Sequence, residues 1–238
     1  MVNKFDNVFM NLIITPTGKN SYFKKWIKDD CNFDIVLLCY EDIEEYKHTN
    51  IKFVKRFNAE KWSMSKRFIT ENLDFILQYD NFLFIDDDID TDTESINKLF
   101  EIHSKYNLNL SQPSVSGYTS WKITNKVEGC LLRYTNYVEI MSPLMNKQTL
   151  MSLFQTFDLS QSGWGLDLLW AKMIDNDKIA IIDEVNVIHT RPVGKDYIIN
   201  GSKRFKLNPK DELTMFMKKY NLSIDFKVLS QITSIFNH

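Results

Sequence analysis

Phe82-Leu83-Phe84-Ile85-Asp86-Asp87-Asp88 passes from four apolar residues to three carboxylates without a break. A short apolar run of this kind reads as a strand buried on both faces, the habit of a parallel sheet. Acid at its end falls where open α/β sheets gather ligands, at the carboxyl ends of the strands. Successive side chains on a strand point to opposite faces, so an extended continuation puts Asp86 and Asp88 on one side and Asp87 on the other. Two hard oxygen donors side by side suit Mg²⁺ or Mn²⁺, which complete their octahedra with substrate phosphates. A solvated acidic turn, continued by Asp90 and Asp92, is the plainer alternative, but three adjacent like charges repel one another unless a cation relieves them.

Towards the N-terminus, Val8 to Ile14 reads as a strand closed by a Thr15-Pro16-Thr17-Gly18 loop. Tyr22, Phe23, Trp26 and Ile27 recur at helical spacing, and Phe33 to Tyr40 returns to strand character. Ile51 to Phe57 predicts a third strand, and Ile69, Leu73, Ile76 and Leu77 mark a helix carrying Lys66 and Arg67. Strands alternating with helices predict an α/β fold with a largely parallel sheet.

Towards the C-terminus, Thr91 and Glu94 suggest a capping box ahead of a stripe of Ile96, Leu99, Phe100 and His103, with His103 read as a packed residue. Leu108 to Ile140 reads as mostly extended, turning at Gly117 and Gly129. Leu150, Met151 and Phe154 predict a helix, Gly163-Trp164-Gly165 a tight loop, and Leu166, Leu169, Trp170 and Met173 another helix. Ile179 to Ile182 and Val185 to His189 are strand-like. Beyond Gly201 two amphipathic helices are predicted, on Leu213, Phe216, Met217 and Tyr220 and on Val228, Ile232 and Ile235.

The 238 residues are 44% hydrophobic, enough for one substantial core. With 29 basic against 31 acidic residues the net charge of −2 gives no general attraction for a polyanion, which disfavours a nucleic-acid binder. Cys31, Cys39 and Cys130 lack a metal-ligand spacing and suit reduced thiols in the cytoplasm. Met1 to Asp6 carries neither a signal pattern nor an apolar run of bilayer length.

Two further constellations carry chemistry. In Ser162-Gly163-Trp164-Gly165-Leu166-Asp167 the glycines let backbone approach a ligand and Trp164 offers a platform for a sugar face. Asp167, in the first turn of a helix, is either a partner of the helix dipole or a general base. His189 leaves a strand just before Thr190-Arg191-Pro192, where its imidazole could ligate a metal and Arg191 could meet phosphate oxygens.

Taken in order, these pieces resemble the glycosyltransferase-like proteins of domain-of-unknown-function family 707, within the GT-A superfamily. The resemblance rests on Lys61-Trp62, Ser65-Lys66-Arg67-Phe68, Tyr79 to Asp88, Leu110-Ser111-Gln112-Pro113-Ser114, Tyr137 to Pro143, Gly163 to Asp167, and Ile182-Asp183 with Val187-Ile188-His189. It covers roughly residues 8 to 195. It implies a single Rossmann-like GT-A domain over residues 1–200, with a mixed central sheet flanked by helices. A nucleotide-binding half would span about 1–92 and an acceptor half about 93–200, with a C-terminal helical extension over 201–238.

The resemblance also implies a metal-dependent, inverting transfer from a nucleotide-diphosphate sugar, by family habit a UDP-sugar with Mn²⁺ or Mg²⁺, to a carbohydrate hydroxyl. Asp88, Asp86 and His189 would hold the metal. Thr15, Pro16, Lys66, Arg67, Asp86, Asp87 and Arg191 would meet the donor nucleotide sugar. Trp164, Gly165, Gln112 and Glu139 would meet the acceptor, and Asp167 would be the base. A metal-dependent phosphoryl or nucleotidyl transferase and an inactive carbohydrate-binding relative stay open as alternatives. No nucleic-acid partner and no membrane span are expected, and peripheral membrane contact is left open.

Overall fold

A computed structural model describes residues 9–174, 178–193, 198–199, 202–203 and 207–234. Val8 and Ile235, each expected to sit in a regular element, and Met1 to Asp6 lie outside them. The opening half is built as the alternation predicts. β1 (Asn11–Thr17), α1 (Phe23–Trp26), β2 (Phe33–Cys39), β3 (Ile51–Arg56), α2 (Lys61–Glu71), α3 (Leu73–Ile76) and β4 (Asn81–Leu83) follow in order. β1 pairs in parallel with β2 and β4, and β2 with β3. Thr15, Pro16 and Thr17, expected in a loop, belong to β1. Pro16 is tolerated because β4 pairs only as far as Ile13, so its missing N–H can face the side where β1 has run out of neighbours.

The second half holds β5 (Ile89–Asp90), α4 (Thr93–Lys105), β6 (Leu110–Gly117), β7 (Cys130–Thr135), β8 (Leu144–Asn146), α5 (Lys147–Leu153), α6 (Leu166–Met173) and β9 (Ile179–His189). The two expected strand segments at 179–189 are one strand with a register shift. The cap of α4 is Asp92, whose carboxylate accepts from Ser95 N at 2.8 Å, and not Thr91. A small hairpin of β10 (Ile198–Ile199) and β11 (Ser202–Lys203) precedes α7 (Pro209–Tyr220) and β12 (Val228–Thr233).

The C-terminal extension is therefore helix and strand, not two helices. β12 pairs antiparallel with β7 and makes the edge of the main sheet. Val228 and Ile232 share a face on a strand as they do on a helix, four residues being a multiple of two. The main sheet runs β12-β7-β9-β6-β8-β4-β1-β2-β3, with β5 on β9.

Alternation along the strands feeds two cores. Leu12, Ile14, Val36 and Leu38 join Trp62, Phe68, Leu150 and Trp170 on one face. Ile13, Ile35 and Leu37 join Trp26, Ile96, Leu99 and Phe100 on the other. His103 is packed in that second layer, its Nδ1 2.8 Å from the Ser111 hydroxyl, and burial holds its pKa down at about 3. No helix among the described residues is long and apolar enough to cross a membrane.

Candidate functional site

β1, β2 and β4 run in parallel, so their carboxyl ends share one edge of the sheet, and there the acidic triplet lies. It is not extended: β4 stops at Leu83, and Ile89 N donates back to Asp86 O at 3.3 Å. Strict alternation of the three side chains is thereby lost, and all three line one cleft with Pro16, Tyr40, Lys61, Glu139, Trp164, His189 and Arg191.

Each carboxylate has its own surroundings. Asp87 Oδ2 accepts from the Ser21 hydroxyl at 2.5 Å, the Tyr40 hydroxyl at 2.7 Å and Gly18 N at 3.3 Å, and Oδ1 faces Arg191 at 3.5 Å. It ties the ends of β1, β2 and β4 together, although burial raises its pKa. Asp86 is bound at 2.6 Å by Lys61 Nζ, which also donates to the carbonyls of Phe84 and Ile140, with the Met141 carbonyl sharing a donor at 3.3 Å. Burial lifts Asp86 to about 6 against the pull of Lys61, and burial lowers Lys61.

Asp88 meets His189 because β5 pairs with β9, Ile89 opposite His189, and Thr190 donates to Asp88 O through both N and Oγ1. Nδ1 of His189 lies 2.6 Å from the Tyr118 carbonyl, which can only accept, so Nδ1 carries a proton. Nε2 then faces Asp88 Oδ2 at 3.1 Å, either as imidazolium or as a lone pair beside a carboxylate, and a shared cation satisfies the second arrangement. Burial works against the charged ring, but Asp88 and the Tyr118 carbonyl outweigh it and raise its pKa. Asp88 Oδ1 is buried without a hydrogen-bond partner among the described residues. No cluster of three His, Cys, Asp or Glu side chains able to cage a metal exists among the described residues. Asp88 and His189 still fit a cation that takes its remaining ligands from phosphates and water, as Mg²⁺ commonly does.

A second cavity of about 410 Å³, within the range of small-molecule sites, opens beside the first. Ser120, Trp121, Glu139, Trp164, Gly165, Asp167, Lys210 and Leu213 line it. Gly163 and Gly165 shape the loop between the two, with φ of 83° and 92°; a side chain at Gly165 would meet Phe216 of α7. Asp167 is held by the Tyr137 hydroxyl at 2.7 Å and Leu168 N at 2.9 Å, and burial raises it to about 6.

Pro16, Asp86, Asp87, Asp88, His189, Arg191, Trp164, Glu139, Gly165 and Asp167 thus come together around two adjoining cavities. Four expected residues line neither. Thr15 is fully buried and bonds to Pro16 O. Gln112 is equally buried and accepts from Glu139 N at 2.6 Å, so it supports that residue from behind. Lys66 pairs with Asp158, and Arg67 with Glu71. At 100° per residue these two lie on other faces of α2 than Lys61, which is the cation of that helix that enters the cleft. Lys61 carried a readable signal: a lysine in a first helical turn opposes the helix dipole. Glu212 on α7 gave none. Its carboxylate accepts from Gln161 N at 2.6 Å and Ser162 N at 2.9 Å, pinning the Trp164 loop.

The mixed sheet flanked by helices is a fold shared with solved structures of GT-A glycosyltransferases. A structure of GalNAc-T7 with UDP, GalNAc and Mn²⁺ matches with a TM-score of 0.54 and 10% identity, over 90% of this chain and 48% of that one. TarS 1-349 of S. aureus in complex with UDP-GlcNAc matches with a TM-score of 0.52 and 9% identity, over 89% of this chain and 65% of that one. Longer TarS matches at 0.50 and 10%, over 79% of this chain and 38% of that one. The chain thus spans less than two thirds of each of these structures. Residues 13–134, just over half of the sequence, match the family described as "Protein of unknown function (DUF707)", and the chain belongs to that family. No curated protein matches it in sequence.

Proposed function

We propose that this protein is a metal-dependent glycosyltransferase that moves a sugar from a nucleotide-diphosphate sugar, of the UDP class, to a carbohydrate hydroxyl. The observation that carries the reading is the Asp88 and His189 pair, with a carboxylate oxygen unpartnered among the described residues, in a cleft that also holds Arg191 and adjoins a tryptophan-lined cavity. The fold neighbours were solved with UDP-GlcNAc in one case and with UDP and Mn²⁺ in another, which supports the donor class.

In this reading Asp88 and His189 hold the cation and Asp86 stands beside them. Bound Mn²⁺ or Mg²⁺ would offset charge on the departing diphosphate. Arg191 meets phosphate oxygens, Pro16 lies towards the nucleotide, and Asp87 keeps the three strand ends in register around it. Trp164 offers its ring to the acceptor. The attacking hydroxyl loses its proton to one of the two buried carboxyl groups of the second cavity, Asp167 and Glu139; the sequence resemblance points to Asp167. A single displacement of this kind inverts the anomeric centre. The setting we propose is cytoplasmic, on the sequence reading of Cys31, Cys39 and Cys130 as reduced thiols.

The test is a thermal-shift panel of nucleotide sugars with and without Mn²⁺, followed by product analysis. A donor that binds the native state raises the transition, by about 2.7 kcal/mol of stability at a hundredfold excess over Kd. Metal-linked stabilisation by one donor and release of nucleoside diphosphate are expected. Release of nucleoside monophosphate or pyrophosphate would instead assign a phosphoryl or nucleotidyl transferase.

A further inference from the structure

Ser120, Glu139, Ile140, Trp164 and Val193 line both cavities, and Glu139 is the one carboxylate among them. They mark the junction at which a donor in one cavity and an acceptor in the other must meet. Glu139 is 3% exposed, and its Oε2 has no hydrogen-bond partner among the described residues. A buried carboxyl oxygen left unsatisfied is costly, so it calls for an explanation, and a hydroxyl supplied by substrate is one. The segment that carries it is fixed in place. Gln112 holds Glu139 N from behind, and Lys61 donates to the carbonyls of Ile140 and Met141. Asp167, also buried, differs on two of these counts. It lines the second cavity alone, one of its oxygens takes the Tyr137 hydroxyl, and the other takes Leu168 N.

We infer that Glu139 is the catalytic base: its Oε2 takes the proton of the acceptor hydroxyl at the junction of the two cavities, with Asp167 as a charged neighbour that tunes it. This rests on the glycosyltransferase reading above. In the step, the O–H bond of the acceptor breaks towards Glu139 Oε2 and the acceptor oxygen bonds to the anomeric carbon. The bond from that carbon to the diphosphate breaks, and the diphosphate leaves with the electron pair.

The electrostatics around Glu139 agree. Burial raises it to about 7, opposed by the Ser120 hydroxyl. The negative charges of Asp167 on α6 and Asp86 after β4 raise it further, and His189 at the end of β9 lowers it. A base poised near the working pH combines a large ionised fraction with real proton affinity.

The test uses the full chain with Mn²⁺ and the nucleotide sugar that gives the largest thermal shift, reading diphosphate release against pH. Wild type should show a rate that rises through a limb near pH 7. Glu139→Gln should lose 100-fold or more in kcat and lose that limb, with affinity for UDP and Mn²⁺ unchanged. Asp167→Asn should keep the limb but move it to lower pH, because a like charge beside Glu139 is gone. A Glu139→Gln variant that retains the limb, paired with an Asp167→Asn variant that loses it, would overturn the inference and return the base to Asp167. Loss of UDP affinity in Glu139→Gln would overturn it too. Independently of turnover, carbon-detected titration should find one carboxyl with a midpoint near 7 that vanishes in Glu139→Gln; a midpoint in the ordinary carboxylate range for that residue sinks the assignment. Wild type without any donor-dependent release fails the glycosyltransferase reading itself, a result distinct from all of these.

Discussion

Lys61 Nζ lies 2.6 Å from Asp86 Oδ1 and reaches, from the same atom, carbonyls on both sides of the cleft: Phe84 after β4, and Ile140 and Met141 from the segment leading into β8. One ammonium group therefore fastens the acidic turn to the segment that carries Glu139. The side chains are 12% and 32% exposed, so removing one partner leaves the other charge partly hydrated and costs less than the roughly 3–5 kcal/mol typical of a fully buried pair. Lys61→Met should accordingly destabilise the fold by about 1–2 kcal/mol at pH 8 in urea unfolding. Asp86 already sits at about 6, and without Lys61 it rises further, so protonation relieves the variant as the pH falls. The gap from wild type should shrink by pH 5; a gap that widens would contradict the pairing.

Asp88→Ala removes the oxygen left without a partner among the described residues and the one facing Nε2 of His189. Calorimetric titration of UDP should show Mn²⁺ tightening binding at least tenfold in wild type and having no effect in the variant. Unchanged Mn²⁺ linkage in Asp88→Ala would remove Asp88 from the metal site.

Much of the fold was legible because the chain marks it locally. Of the four apolar residues before Asp86, Phe82 and Leu83 lie in the buried strand β4, and the tight loop expected at Gly163-Trp164-Gly165 is formed with positive φ at both glycines. What stayed hidden depends on contacts distant in sequence. The 89–90 to 188–189 pairing that joins Asp88 to His189 leaves no periodic trace, being two residues long. Lys66 and Arg67 drew attention as adjacent cations, yet helical phase turns them outward and brings Lys61 in. The last element misled because Val228 and Ile232 fit either period, and only pairing with β7 decides for a strand. Gln112 was legible as a site residue but not as a buried support, since its partner is the backbone of Glu139.

Glu212 on α7 accepts two backbone N–H groups, from Gln161 and Ser162, at the base of the Trp164 loop. Charge-assisted bonds of this kind contribute about 1.5–3 kcal/mol each before the competing water bonds of the open loop are counted. Glu212→Gln keeps the shape but offers the two amides only one acceptor oxygen. Hydrogen exchange at Gln161 and Ser162 should quicken at least tenfold, with global stability lower by about 1 kcal/mol. Acceptor KM should rise while UDP affinity holds, since the loop walls the second cavity. Exchange unchanged at both amides would show that α7 does not hold the loop.

Asp167 gives the fold a pH dependence of definite sign. Its carboxyl is held at about 6 in the folded chain, against an ordinary 3.8, chiefly by burial. Between roughly pH 4 and pH 6 the folded chain therefore keeps a proton that the unfolded chain has lost. Unfolding releases that proton, so rising pH favours unfolding across this window, and the penalty is complete above about pH 6. Ionising a carboxyl raised this far costs the fold roughly 3 kcal/mol, an upper figure because water can reach the cavity wall. Asp167→Asn keeps a partner for the Tyr137 hydroxyl and cannot ionise. The variant should match wild type to within about 1 kcal/mol at pH 4 and exceed it by about 1–3 kcal/mol at pH 7.5, both by urea unfolding. A stability difference that stays constant between those two pH values would mean that Asp167 titrates in the folded protein as it does in the unfolded one.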